Sequence, residues 1–185
     1  MKIQKRKKGE IGYLAYKKKV VRFQTLLMFG ISVLIFICGY LYKGTKENIM
    51  TIVAVLGLLP ASKSLVSLIM YLKTPKYDIS NIEKLIKECE NAKPIAELYF
   101  TSYKMNFPCN AMLCTKDTII GYSAFANVKE QELEAHIKDI LNQNSYKDIT
   151  VKIFKDYDKF EQRALQLSCQ KPSESLTQLM LDISL

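Results

Sequence analysis

Hydrophobic and polar positions divide the chain into three regimes. From Phe23 to Tyr42 run 20 consecutive residues without a charge, apolar on every helical face. Crossing a hydrocarbon core of ~30 Å as a helix takes about 20 such residues, whereas a soluble helix of that length keeps a polar face. The run predicts a transmembrane helix over 23–42, with Tyr40 and Tyr42 at one end, where rings favour the headgroup zone. A signal peptide shares the positive start, but its apolar core spans only about 7–15 residues, and no small-x-small cleavage pattern follows Tyr42. A second apolar stretch, 49–72, is interrupted near its middle by Pro60 and Lys63. A central Lys costs about 3 kcal/mol, which Leu, Ile and Val neighbours at roughly -0.5 kcal/mol each outweigh. The stretch reads as a second span, kinked around 60–64. The alternative is a re-entrant piece, 49–59, followed by 65–72 lying along the interface. The linker 43–48 is short enough to make the pair an antiparallel hairpin.

Beyond Thr74-Pro75 the periodicity becomes that of a globular domain, 73–185. Ser80 and Glu83 stand at capping-box spacing before a helix ending near Asn91. Residues 97–104 read as a strand, and 110–116 and 118–125 as two more joined tightly around Lys116-Asp117. Residues 128–141 read as a helix and 148–156 as an alternating strand; helices over 158–169 and 173–183 complete the chain. The order α-β-β-β-α-β-α-α predicts a small α+β domain with a mostly antiparallel sheet. That order resembles the core of the restriction-endonuclease-like fold, whose members hold a metal with an Asp on the second strand and an acid-x-Lys pair on the third. Asp117 falls near the first position, but 118–125 contains neither acid nor Lys, and no Asp/Glu-x-Lys triplet occurs in the chain. The nuclease motif is therefore missing, and element order alone carries no activity.

Charge sharpens this division. Residues 1–22 carry nine Lys/Arg against one acid, Glu10, which accounts for +8 of the chain's +9. The basic excess thus belongs to one short segment, which excludes a globally basic nucleic-acid binder. Lys5, Arg6, Lys7 and Lys8 form one cluster and Lys17, Lys18 and Lys19 another. They read either as a topology determinant or as a grip on anionic lipid, worth about 1 kcal/mol per residue near the surface. Between them 9–16 reads as an interfacial turn, with Tyr13, Leu14 and Tyr16 dipping into headgroups. The positive-inside rule places the N-terminus in the cytoplasm, the linker outside and the C-terminal domain in the cytoplasm again.

Candidate chemistry is sparse. His136 borders the apolar face of its helix and reads as a packing histidine. No Gly-x-Ser-x-Gly elbow, phosphate loop or dinucleotide fingerprint occurs. Cys109 and Cys114 stand at the upper edge of zinc-ligand spacing without a second pair, so Cys38, Cys89, Cys109, Cys114 and Cys169 read as free thiols. Glu130, Glu132 and Glu134 read as a solvated helix face; Tyr99, Tyr103 and Phe107 read as one sheet face or an aromatic patch. No catalytic residue, cofactor or metal is assigned. Lys63, with Pro60 beside it, is the intramembrane candidate, since an ionisable group among lipid is functional by default. It would pair with an acid of a partner or neighbouring copy, or else snorkel to the cytoplasmic side.

The segments GEIGYLAYKKK and TIVAVLGLLPASKSLVSLIMYL, with 59–64 the most distinctive string, are similar to a family of small uncharacterised two-span membrane proteins of Gram-positive bacteria. The resemblance covers about residues 9–72 and implies a bacterial membrane protein without an established activity. Some members carry glycosyltransferase-like labels, for which this chain has no donor-binding motif. The expectation is a multi-pass protein of the cell membrane, meeting the bilayer, anionic lipid at its N-terminus and a protein partner or second copy, but no nucleic acid. It would act as an anchored binding or scaffold module. The alternatives are an enzyme with an unrecognised site near the membrane, marked by a cleft gathering Asp117, Asp156, Asp158 or His136, and a small oligomeric pore.

Overall fold

The computed structural model describes residues 6–45, 48–103 and 105–185. Lys5, the linker residues Lys46 and Glu47, and Lys104 at the end of the expected strand lie outside the described residues. The chain forms two compact units, one of residues 14–74 and one of 6–13 together with 75–185.

The first unit is a pair of helices, α1 (Tyr13–Lys43, whose first residue belongs to the other unit) and α2 (Ile49–Lys73). Both are long and apolar enough to cross a membrane, and only 17% and 11% of the residues in their apolar windows are buried. A core helix of a soluble protein would have covered those side chains. Asn48 caps α2, its side chain accepting the Thr51 amide at 3.0 Å. The helix then continues unbroken past Pro60 for 25 residues, about 37 Å at 1.5 Å per residue. No break separates 49–59 from 65–72, as the re-entrant alternative required. α1 begins ten residues before the apolar run, because the basic segment 13–22 is itself helical.

The second unit follows the expected order: α3 (Ser80–Glu88), β1 (Ile95–Thr101), β2 (Asn106–Cys114), β3 (Thr118–Tyr122), α4 (Glu130–Gln143), β4 (Thr150–Phe154), α5 (Tyr157–Ser168) and α6 (Glu174–Ile183). The sheet is mixed, in the order β1-β2-β3-β4; β1–β2 and β2–β3 are antiparallel, while α4 carries the chain across so that β4 runs parallel to β3. One face packs α4 and α6 through Leu133, Ile137, Leu141, Leu176 and Met180. The other packs α3 and α5 through Ile82, Leu85, Phe160, Ala164 and Leu167. With both faces covered, β2 and β3 read as near-continuous apolar runs rather than alternating ones. β2 starts four residues earlier than expected. Pro108 obscures that start but is tolerated, because β3 pairs only from Ala111 onward.

Two local expectations differ. Ser80 does not cap α3; the turn before it is held by Asp78, whose carboxylate accepts the Ser80 hydroxyl at 2.8 Å. Residues 9–12 turn ahead of α1, which already includes 13–16. They fold onto β1, with the Ala96 amide donating to the Gly9 carbonyl at 2.8 Å and Ile11 packed among the α3/α5 cluster. β1 is an edge strand whose outward amides need acceptors, and this strap supplies one. Leu14 is buried and Tyr13 and Tyr16 half-buried.

Candidate functional site

The register of the helical pair decides where its polar groups meet. At the turn end, the Asn48 side chain donates to the Gly39 carbonyl at 3.1 Å. Further along, the open position at Gly57 faces the Ser32 hydroxyl, which would lie 2.8 Å from a β-carbon there. Thr25 then donates to the Ser64 carbonyl at 3.2 Å, and Lys18 to the Thr74 carbonyl at 2.8 Å. Lys63 is central in α2, yet this register sets it level with Thr25 and Leu26. That is one turn beyond Arg22, the last charge before α1's uncharged run.

Lys17, Val21, Gln24 and Met28, at i, i+4, i+7 and i+11 on one face of α1, then meet Pro60, Lys63, Ser64, Ser67 and Tyr71 of α2 around a notch of about 350 Å³. Two of the candidate cations and Pro60 thus share one site. The opposite side of the helix pair holds a groove of about 540 Å³, apolar apart from Arg22 and Thr25. Among the described residues neither Lys17 nor Lys63 is in an ion pair. The sequence from 14 to 74 has a single acid, Glu47, which lies on neither α1 nor α2. Gln24 was not singled out from the sequence. Its helical spacing from Lys17 was legible, but its meeting with Lys63 depends on the inter-helix register.

The first basic cluster is placed differently. Arg6, Lys7 and Lys8 belong to the globular unit, not to the helices. Arg6 donates to the Ile11 carbonyl, the Lys7 amide to Glu10 at 2.9 Å, and the Lys8 ammonium to the Ser184 carbonyl at 2.6 Å. Lys19 is exposed, and Lys17 and Lys18 are half-buried.

The globular unit has a buried polar centre where the strap meets the sheet. Glu97 accepts the Gly12 amide at 2.7 Å, although it is 8% exposed and its φ of 54° is one that L residues rarely adopt. Opposite it in the β1–β2 register stands buried Asn110, which donates to the Asp78 carbonyl at 3.3 Å and accepts the Ala124 amide at 3.0 Å. At this pair both strands switch faces: Ala96 and Ala111 pack with α3 and α5, Leu98 and Cys109 with α4 and α6. Tyr77 donates to the Leu98 carbonyl at 2.8 Å. Its phenol is pushed up, chiefly by burial and further by Cys109, Tyr99 and Glu97 nearby. Burial likewise pushes the Cys109 and Cys114 thiols up to about 12, so both are neutral thiols rather than thiolates at physiological pH.

The residues whose gathering would have marked a catalytic cleft are dispersed. Asp117 lies just before the start of β3, which pairs with the start of β4, and Asp156 follows the end of β4. A strand length of roughly 16 Å separates these levels at ~3.3 Å per residue. Asp156 caps α5, accepting the Asp158 amide at 3.1 Å. His136 stacks on Phe107, centroids 5.4 Å apart, in the α4 layer, away from α5. Neither β2 nor β3 carries a carboxylate, and among the described residues no three His, Cys, Asp or Glu converge as a metal site. The acidic run of α4 is not simply solvated. Glu134 accepts the Ile153 amide at 2.9 Å and Glu130 the Lys155 amide at 3.1 Å, satisfying the outward donors of edge strand β4. Tyr99 and Phe107 are buried and Tyr103 is fully exposed, so they form no common patch.

No family model, curated protein or solved structure matches this chain.

Proposed function

We propose that this chain is a two-span protein of the cell membrane, whose hairpin holds a small α/β domain at the cytoplasmic face as an anchored binding or scaffold module. One observation carries the reading. The segment before α1 and the chain after α2 fold as one unit, joined by Ala96 to Gly9 at 2.8 Å, Gly12 to Glu97 at 2.7 Å and Lys8 to Ser184 at 2.6 Å. No bilayer can lie between segments bonded in this way. The helices therefore cross together or not at all, and their uncovered apolar faces favour crossing. Nine basic residues before the apolar run favour the cytoplasm for that shared side. A sheet covered on both faces and dispersed acids favour binding over catalysis, with a protein or a second copy as partner. The resemblance of 9–72 to small bacterial two-span proteins points the same way.

The test is a pair of reporters fused after Leu185, one active only in the cytoplasm and one only outside. Activity of the cytoplasmic reporter is expected. Activity of the external one would mean an inverted hairpin or a single crossing and would overturn the proposal.

A further inference from the structure

We propose that the notch holding Lys17 and Lys63 binds the phosphate of an anionic phospholipid headgroup drawn from the surrounding bilayer. The proposal rests on the hairpin spanning the membrane, as argued above. Two lysines on different helices line one cavity together with Gln24, Ser67 and Tyr71. Its volume of about 350 Å³ lies within the ~300–1,000 Å³ of small-molecule sites. The cations have no complement on either helix, since neither α1 nor α2 contains a carboxylate. The anion must come from outside the hairpin.

Depth selects which anion. Lys63 is level with Thr25 and Leu26, just inside the uncharged run that begins at Phe23, while Lys17 lies six positions before Phe23, roughly 9 Å along the helix. The notch therefore straddles the boundary at which lipid phosphates lie. Beyond the level of Lys63 its walls continue inward as Met28 and Pro60, apolar surface that suits the glycerol and upper acyl chains of a lipid and gives nothing to a free anion. A zwitterionic headgroup brings its own cation to compete with the lysines; a net-negative one does not. Basic pockets between spanning helices on the cytoplasmic side take acidic headgroups by this physics.

The experiment uses the full chain, reconstituted into phosphatidylcholine vesicles containing a minor fraction of spin-labelled phosphatidylglycerol or spin-labelled phosphatidylcholine. The two probes give the relative association of the acidic lipid. The wild type should prefer phosphatidylglycerol, and Lys17→Gln or Lys63→Gln should each lower that preference about fivefold, the equivalent of ~1 kcal/mol per cation. Lys63→Arg should keep it, and Lys19→Gln, whose side chain is exposed and does not line the notch, should leave it unchanged. Equal loss in Lys19→Gln, or an undiminished preference in the Lys17→Gln/Lys63→Gln double variant, would overturn the site in favour of diffuse attraction. Displacement of phosphatidylglycerol by inorganic phosphate would overturn the lipid assignment in favour of a soluble anion. Alkaline carbonate extraction of the same vesicles separates the two claims. A wild type that resists extraction yet shows no preference refutes this site alone, and one that is extracted refutes the hairpin reading and this proposal together.

Discussion

Replacing Glu97 by Ala should release the strap that ties residues 6–13 to the domain. The Glu97 carboxylate accepts the Gly12 amide at 2.7 Å in a largely buried setting. A hydrogen bond to a charged group contributes about 1.5–3 kcal/mol, and at ~1.36 kcal/mol per decade that is a roughly 10- to 150-fold change in the opened population. Alanine inherits the same backbone angle, φ 54°, and like glutamate adopts it reluctantly, so its effect reports the loss of the side chain's contacts rather than of strain. Glycine enters that region freely. Glu97→Gly should therefore lose the contact yet recover part of the strain, which costs about 1–3 kcal/mol for such residues, and fall between wild type and Ala. The assay is amide hydrogen exchange of the full chain in micelles, followed by mass spectrometry on the peptide containing Gly12. Trypsin cleavage after Arg6, Lys7 and Lys8 serves as a second readout of the same opening. Faster exchange by at least tenfold in Glu97→Ala is expected. Unchanged exchange at Gly12 in that variant would refute the reasoning.

Thiol chemistry gives a second check: a maleimide applied to the native protein in micelles should modify exposed Cys169, whereas Cys89, Cys109 and Cys114 should label only after denaturation, a pattern that peptide mass spectrometry resolves. Burial holds His136 below its ordinary value, only partly opposed by Asp139. The unfolded chain therefore binds the proton more readily, and the stabilising contribution of neutral His136 is present above about pH 6.5 and is lost as pH falls through the depressed native value. Thermal unfolding of the wild type should decline over that window, more steeply than that of His136→Phe, which keeps a ring against Phe107; identical pH profiles would contradict this.

Local patterning carried much of the fold. The two apolar runs became helices α1 and α2, and the eight elements of the second unit appear in the order their periodicities predict. What stayed hidden depended on non-local pairing. A parallel β3–β4 pair and an antiparallel one have the same local pattern, and only the crossover by α4 decides between them. The start of β2 was hidden by Pro108, whose tolerance depends on where β3 stops pairing. Glu130 and Glu134 resembled a solvated stripe because their acceptors' roles arise only when edge strand β4 lies beside α4. The strap is the sharpest case: Gly9 and Gly12, with φ of 86° and 80°, are the local trace of its turns, but the strand it joins lies more than 80 positions away. For the candidate site, Lys63 and Pro60 stood out as misfits in an apolar run, and Lys17 as one of a basic cluster. That they line one notch follows from the Thr25–Ser64 register, which no single-helix pattern encodes.

The strap also imposes an order on the birth of the molecule. Residues 6–13 leave the ribosome well before their partners, since Gly9 meets Ala96 and Lys8 meets Ser184, both made only after α2. Under the two-span reading, the hairpin has by then been threaded into the membrane, and domains otherwise fold as they emerge. Completion of the domain thus reports on the threading. A chain whose two flanks ended on opposite sides would leave the β1 edge without its strap, Ile11 without its apolar bed and Gly12 without Glu97. A misthreaded copy would carry an open sheet edge, the kind of lesion that quality-control proteases and chaperones engage, so a correct hairpin and a finished domain vouch for each other.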